Sequence, residues 1–182
     1  MLNRVLRGGL AALGCVLGAA VLVVAIPAPH AAEPVTNSYH PDLAALTRLA
    51  PYPAVAPAGL PAAWQPVSSS LTAGGAAGAG TVTWALGFMT PGGKLASLEE
   101  TNASAASFVR RMTNDGTVLP PVQPPPPALD GQAWTFSTAR ARGQRSLSAT
   151  SPAGFSVVVT GNATWADLRL LAASLRRVTA GG

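Results

Sequence analysis

Phe155-Ser156-Val157-Val158-Val159-Thr160-Gly161-Asn162-Ala163-Thr164-Trp165-Ala166-Asp167-Leu168 is the stretch from which the architecture can be read. Three consecutive valines lose rotamer freedom in a helix but pack well on a pleated surface, so Phe155 to Thr160 is predicted to be a central strand. Thr164 then offers a hydroxyl to the free N–H groups of a helix start, and Asp167, three residues on, completes a capping box. Trp165, Leu168, Leu171, Ala172, Leu175 and Val178 recur at helical spacing. Arg176 and Arg177 suit the negative end of the helix dipole, so the helix is expected to reach about Val178.

The same order recurs sixty residues earlier. Asn102-Ala103-Ser104-Ala105-Ala106-Ser107-Phe108 aligns with Asn162 to Leu168, and the turn at Pro91 to Gly93 aligns with that at Ser151 to Ala153. Asn102 is expected to cap a helix whose Ala105, Phe108, Val109 and Met112 share one face and which Asp115-Gly116 ends. Strands are expected at Val67 to Leu71, Thr81 to Phe88, Leu95 to Leu98, Gln132 to Ser137, Arg145 to Thr150 and Phe155 to Thr160. Each half then reads as strands, turn, strand, helix. Two such halves predict an α+β domain, an antiparallel sheet of about six strands with its helices packed on one face.

Between these elements the chain is punctuated by Pro and Gly. Gly74 to Gly80 is expected to be a hairpin loop, because a phosphate loop must open a helix and the period-two run from Thr81 follows instead. Residues 117–128 contain Pro124 to Pro127 without interruption and predict a stiff surface spacer. Upstream, Pro41 and Asp42 suit a helix start, Leu43, Leu46 and Leu49 follow every three residues, and Pro51 stops the helix. Pro51-Tyr52-Pro53 and Pro57 to Pro61 form a stiff connector that Trp64 closes.

Gly8 to Ile26 is an unbroken apolar run, and residues 8–27 have the roughly 20-residue length that crosses a bilayer. Arg4 and Arg7 precede it and the next charge is Glu33, which places residues 1–7 in the cytoplasm and the C-terminal part outside. A cleaved leader needs small residues at the first and third positions before the cut. Pro29-His30-Ala31 and His30-Ala31-Ala32 put Pro or His there, which favours a retained anchor. A lipobox at Ala12 to Cys15 is disfavoured because the apolar run continues beyond Cys15. Gly14 and Gly18 form a small-xxx-small pair that would permit a weak helix dimer. Residues 28–41 read as a Pro-rich tether reaching at most about 40 Å, and residues 42–180 as a single extracytoplasmic domain.

Ten basic and seven acidic residues follow Pro27. An excess this small points to anionic headgroups or wall polymers more than to nucleic acid, so the expected partners are the lipid bilayer, anionic lipid or an envelope protein, and not nucleic acid. The one cysteine, Cys15, lies in the apolar run, so the domain outside is held together without a disulfide.

Several motifs recur in a fixed order: Pro51-Tyr52-Pro53, Pro57-x-Gly59-Leu60-Pro61-x-x-Trp64, Trp84-x-Leu86-Gly87-Phe88-x-Thr90-Pro91, Gly131-x-x-Trp134, Val157-Val158-Val159-Thr160-Gly161 and Ala172-x-Ser174-Leu175-Arg176. With the anchor and tether, they resemble the uncharacterised actinobacterial family known as domain of unknown function 4245. The resemblance covers almost the whole chain. It implies a single-pass membrane protein with an extracytoplasmic domain and supplies no activity, so no functional residue is carried over.

Chemistry is sparse. His30 and His40 lie in the tether region and no pair has metal-ligand spacing, so neither a metal nor a cofactor is expected. Glu99 and Glu100 are neighbours on a strand and point to opposite faces, which rules out a facing acid and base pair. Asp115 and Asp130 precede glycines in turns, and Gly154-Phe155-Ser156 lacks the final glycine of a serine-hydrolase elbow. No catalytic residue is nominated, and the chain is not expected to be an enzyme. The binding candidates are Arg140, Arg142 and Arg145 at a hairpin tip, and Tyr52, Trp64 and Trp84, whose rings either fill the core or line an apolar groove. The expected role is a non-catalytic binding or interaction module of the cell envelope. A sensor or signalling domain acting with a membrane partner is the alternative.

Overall fold

In Thr81–Met89, Val82, Trp84, Leu86 and Phe88 are buried while the residues between them are at least partly exposed, as a strand with one packed face requires. This strand belongs to a computed structural model that describes residues 38–74, 80–140 and 143–178. The elements are α1 (His40–Leu49), β1 (Val55–Pro57), β2 (Gln65–Gly74), β3 (Thr81–Met89), β4 (Leu95–Thr101), α2 (Ala105–Met112), β5 (Thr117–Leu119), β6 (Thr135–Ala139), β7 (Gln144–Ser151), β8 (Phe155–Gly161), α3 (Trp165–Ser174) and β9 (Leu175–Arg177). Seven strands form one antiparallel sheet in the order β2-β3-β4-β8-β7-β6-β5, and β1 pairs with β9 in a separate two-stranded sheet. The α+β class and the central place of Phe155–Gly161 follow the sequence. So does the hairpin between β2 and β3, whose register runs out to Gly74 opposite Thr81.

The strand register stacks side chains in rows across the sheet. One row joins Leu86, Leu98, Val159, Leu147 and Phe136, and the next joins Trp84, Glu100, Val157 and Ala149. This face carries the main core, to which α1 adds Leu46, β1 adds Val55 and α3 adds Leu168 and Leu171. On the opposite face the corresponding row is Ala85, Glu99, Val158, Ser148 and Thr135, with one large apolar side chain. There α2 packs against β8. Its Phe108 is fully buried but stands apart from the main core cluster, and its Arg111 acts electrostatically on Glu99.

Helices therefore cover both faces, not one, and the sixty-residue correspondence explains how. β4 and β8 align residue for residue at that offset, as do the first residues of α2 and α3, Ala105 and Trp165. Yet the core-facing residues are Ala96, Leu98 and Glu100 in β4, against Phe155, Val157 and Val159 in β8. Residues at equal offset point to opposite faces, because a slip of one residue reverses a strand's facing. Turns of equal length then launch α2 and α3 from opposite sides of the sheet.

Three further expectations are corrected. α3 ends at Ser174, and Leu175 to Arg177 turn extended to pair with Pro57 to Val55, after which the Val178 N–H donates to the Ala54 carbonyl at 2.9 Å. The unpaired backbone of β1 needs those partners, and satisfying it outweighs the continued helical stripe. Asn102 does not cap α2. Its Oδ1 accepts from Val82 N at 2.7 Å and its Nδ2 donates to Gly80 O at 3.1 Å, while Ser104 occupies the N-cap without a side-chain bond. Finally, α1 begins at His40, and Tyr39 packs its ring against Trp84 and Phe88, so the last residues of the expected tether are part of the fold. The Thr164–Asp167 capping box is present as expected.

No helix among the described residues is long and apolar enough to cross a membrane. The segment 8–27, the Gly14 and Gly18 pair and residues 28–37 of the tether lie outside the described residues.

Asp130 ties the periphery together. Its Oδ1 accepts from Arg177 Nε at 2.9 Å and its Oδ2 from Ser151 Oγ at 2.6 Å, joining a tight turn, β9 and the end of β7. Burial pushes its pKa up, but the hydrogen bonds from Ser151 and Arg177 and the guanidinium charge outweigh that and hold it below the ordinary 3.8. Asp130→Asn is expected to cost about 1–2 kcal/mol at neutral pH. A depressed carboxylate stabilises above its unfolded pKa and loses that contribution as pH falls, so urea midpoints of wild type and variant should converge below about pH 3.8.

Candidate functional site

The face covered by α2 carries small hydroxyl side chains where the other face carries leucines and aromatics. α2 is pinned there by Gln144, whose Nε2 donates to Met112 O at 2.7 Å and to Thr160 Oγ1 at 2.6 Å, while Asn114 Nδ2 donates to Gln144 Oε1. Thr160 Oγ1 is in turn 2.8 Å from Ser146 Oγ. Asn114 and Asp115 follow with positive φ, and the Asp115 N–H returns to Arg110 O at 2.9 Å, which ends the helix abruptly.

Beside this pin lies a cleft of ≈ 210 Å³ between α2 and strands β5, β6 and β7. Thr135, Ser137 and Ser148 supply hydroxyls from the sheet, Val109 and Val118 an apolar wall, and an exposed Arg110–Asp115 ion pair of 3.2 Å stands at the rim. Ser137 is 4% exposed, and its Oγ has no hydrogen-bond partner. A buried hydroxyl left unmade costs free energy that a bound polar group could recover. The lining fits a small neutral molecule with one apolar side. It contains no acid and base pair suited to proton transfer.

A second unusual group lies in the main core. Glu100 is 0% exposed, its Oε2 accepts from Val55 N at 3.1 Å and its Oε1 has no partner. Burial pushes its pKa up to about 8, against a smaller downward pull from the Val55 hydrogen bond. Tyr52, stacked on Phe155 at 4.9 Å, also has an unpartnered hydroxyl, and burial with the Glu100 charge pushes its pKa up.

Of the residues nominated from sequence, the three aromatics share the main core and the two described arginines lie at the β6–β7 hairpin. Tyr52, Trp64 and Trp84 are all buried in the main core. Trp64 lies edge-on to Phe88 at 6.0 Å, and Trp84 Nε1 donates to Ser69 Oγ at 3.1 Å. Arg140 is exposed at the end of the β6–β7 hairpin, and Arg142 lies outside the described residues. Arg145 sits in β7 and donates to Ala163 O at 3.2 Å, bracing the turn into α3. The proline run is not a free spacer either. Arg169 Nη1 on α3 donates to Gln123 O at 2.6 Å and Pro124 O at 2.8 Å, Trp134 Nε1 donates to Pro127 O at 2.8 Å, and Pro126 is buried. It is strapped across α3, leaving a recess of ≈ 270 Å³ beside Leu170 and Ala173.

A family model matches residues 3–175 and carries the description protein of unknown function, DUF4245. The chain belongs to the DUF4245 family. No curated protein and no solved structure matches it. Among the described residues of this DUF4245 chain, no group of three His, Cys, Asp or Glu side chains is placed to hold a metal ion.

Sequence reasoning missed both Ser137 and Glu100. For Glu100 a signal existed, because the alternation of Ala96, Leu98 and Glu100 continues the core face by parity. For Ser137 none did, since the cleft exists only once Gln144 has fixed α2 over the sheet.

Proposed function

We propose that this DUF4245 protein is a membrane-anchored, extracytoplasmic, non-catalytic binding module of the cell envelope, and that the cleft beside α2 is where it takes up a small neutral ligand. The unpartnered Ser137 hydroxyl in the floor of that cleft carries the proposal. The uncharged run from Gly8 to Ile26, with Arg4 and Arg7 before it, supports the anchoring.

Ser137→Ala removes an unsatisfied buried hydroxyl, so the unliganded variant is expected to be more stable than wild type by about 1 kcal/mol. The full chain in detergent, titrated with neutral monosaccharides and small polyols, should show a ligand-dependent rise in Tm that Ser137→Ala abolishes. If none of these compounds shifts the wild-type Tm, or if the variant responds equally, the cleft is not the site. Reporter fusions at Gly182 check the topology, and a reporter active in the cytoplasm overturns it.

A further inference from the structure

The two edges of the seven-stranded sheet are treated differently. β5 is three residues long and leads directly into Pro120 and Pro121, so it offers little backbone for another strand to pair with. β2 is the longest strand, ten residues, and contains no charged side chain. Its one proline, Pro66, and the register shift between Pro66 and Ser68 lie at its beginning, and from Ser68 to Gly74 its register against β3 is unbroken. In an antiparallel pair, alternate residues direct their N–H and C=O groups away from the neighbour. Among the described residues, no backbone hydrogen bond outside the β2–β3 ladder involves residues 68–74.

We propose that the outer edge of β2 pairs with β2 of a second copy of this chain, antiparallel about a two-fold axis at Leu71, joining two seven-stranded sheets into one. An edge that pairs with itself must not repel itself, and Ser68 to Gly74 carries only small, hydroxyl and apolar side chains. With the axis at Leu71, Ser70 of one copy stands opposite Thr72 of its partner, so hydroxyls meet hydroxyls on the α2 side of the sheet. On the other side the two half-buried Leu71 side chains, already packed against the core, meet each other. This pairing is independent of the α2 cleft, which lies toward the other edge.

The test uses the full chain in detergent micelles with Cys15→Ser, so that an introduced thiol is the only one. Ser70→Cys, treated with a short bifunctional thiol reagent, is expected to give a product of twice the chain mass, at least tenfold faster than Thr117→Cys on the β5 edge. Adding Thr72→Lys to Ser70→Cys places a charge in the interface and should cut the yield at least tenfold while the far-UV circular dichroism stays that of the folded chain, since Thr72 is exposed in the single copy. Equal rates for the two edges, a yield unaffected by Thr72→Lys, or a product containing a different protein would each overturn the proposal. A dimer made only through Gly14 and Gly18 would not distinguish the two edges.

Discussion

Glu100→Gln is expected to stabilise the fold at pH 8 and to flatten the fall in stability that the wild type shows between about pH 4.5 and pH 8. The folded carboxyl, with its pKa pushed up to about 8 by burial, stays protonated where the unfolded chain, at the ordinary 4.5, has released its proton. A group whose pKa is raised on folding gives its full stabilisation below the unfolded value and loses it as pH rises to the folded one. Across that window the loss is on the order of 4 kcal/mol, a large part of the stability of a small domain. Glu99 has its pKa raised too, by burial opposed by the Arg111 charge, so its ionisation weakens the fold in the same direction as pH rises. The wild type should therefore unfold at lower urea concentration at pH 8 than at pH 5, and Glu100→Gln should remove most of the difference while Glu99→Gln removes less. Glu100→Ala is expected to lower stability at every pH, because it opens a hole between β4 and β1 and leaves the Val55 N–H unpaired. An urea profile for Glu100→Gln that falls as steeply as that of wild type would show that Glu100 is ionised in the folded core.

How far the fold was legible follows from how local each signal is. The Thr164–Asp167 box is set within four residues, and β3 declares itself by alternation over nine; both were readable. β1, β5 and β9 have three residues each and exist through distant partners, β1 and β9 through each other across most of the domain and β5 through β6 beyond the proline run, so nothing in their own composition marks them. Leu175 to Arg177 even continue a helical stripe, and only the β1 backbone and the Asp130–Arg177 ion pair draw them into a strand. The side on which α2 lies turns on a single step of strand register between β4 and β8, invisible to an alignment that matches residue types at an even offset. The aromatic residues were legible as core material and illegible as a site, because the same ring serves either use. Arg145 lies one residue inside β7 and is held by the Ala163 carbonyl, a place that composition does not distinguish from the hairpin tip where Arg140 stands.

Gly161→Ala is expected to be the most damaging small substitution in the domain, at about 3 kcal/mol or more and a drop in Tm of roughly 10 °C. Gly161 ends the central strand with φ +154° and pairs with Ala96 on one side and Arg145 on the other. A Cβ there would overlap the Leu95 carbonyl oxygen and lie 3.0 Å from Ala96 Cα, both backbone atoms that have no rotamer by which to move aside. The same short segment is held by the Asn162 side chain, which accepts from Leu95 N at 2.8 Å, and by Ala163 N, which donates to Leu95 O at 3.2 Å. Relief of the clash must therefore part β4 from β8 where α3 is launched, and the capping box and the core contacts of Leu168 move with it. Gly154→Ala separates crowding from backbone preference. Gly154 also has a positive φ, +85°, but a Cβ there meets nothing within 4 Å. It should cost only about 1 kcal/mol. Near-equal thermal shifts for the two variants would mean that backbone conformation, not the close approach of β4 to β8, makes glycine necessary at position 161.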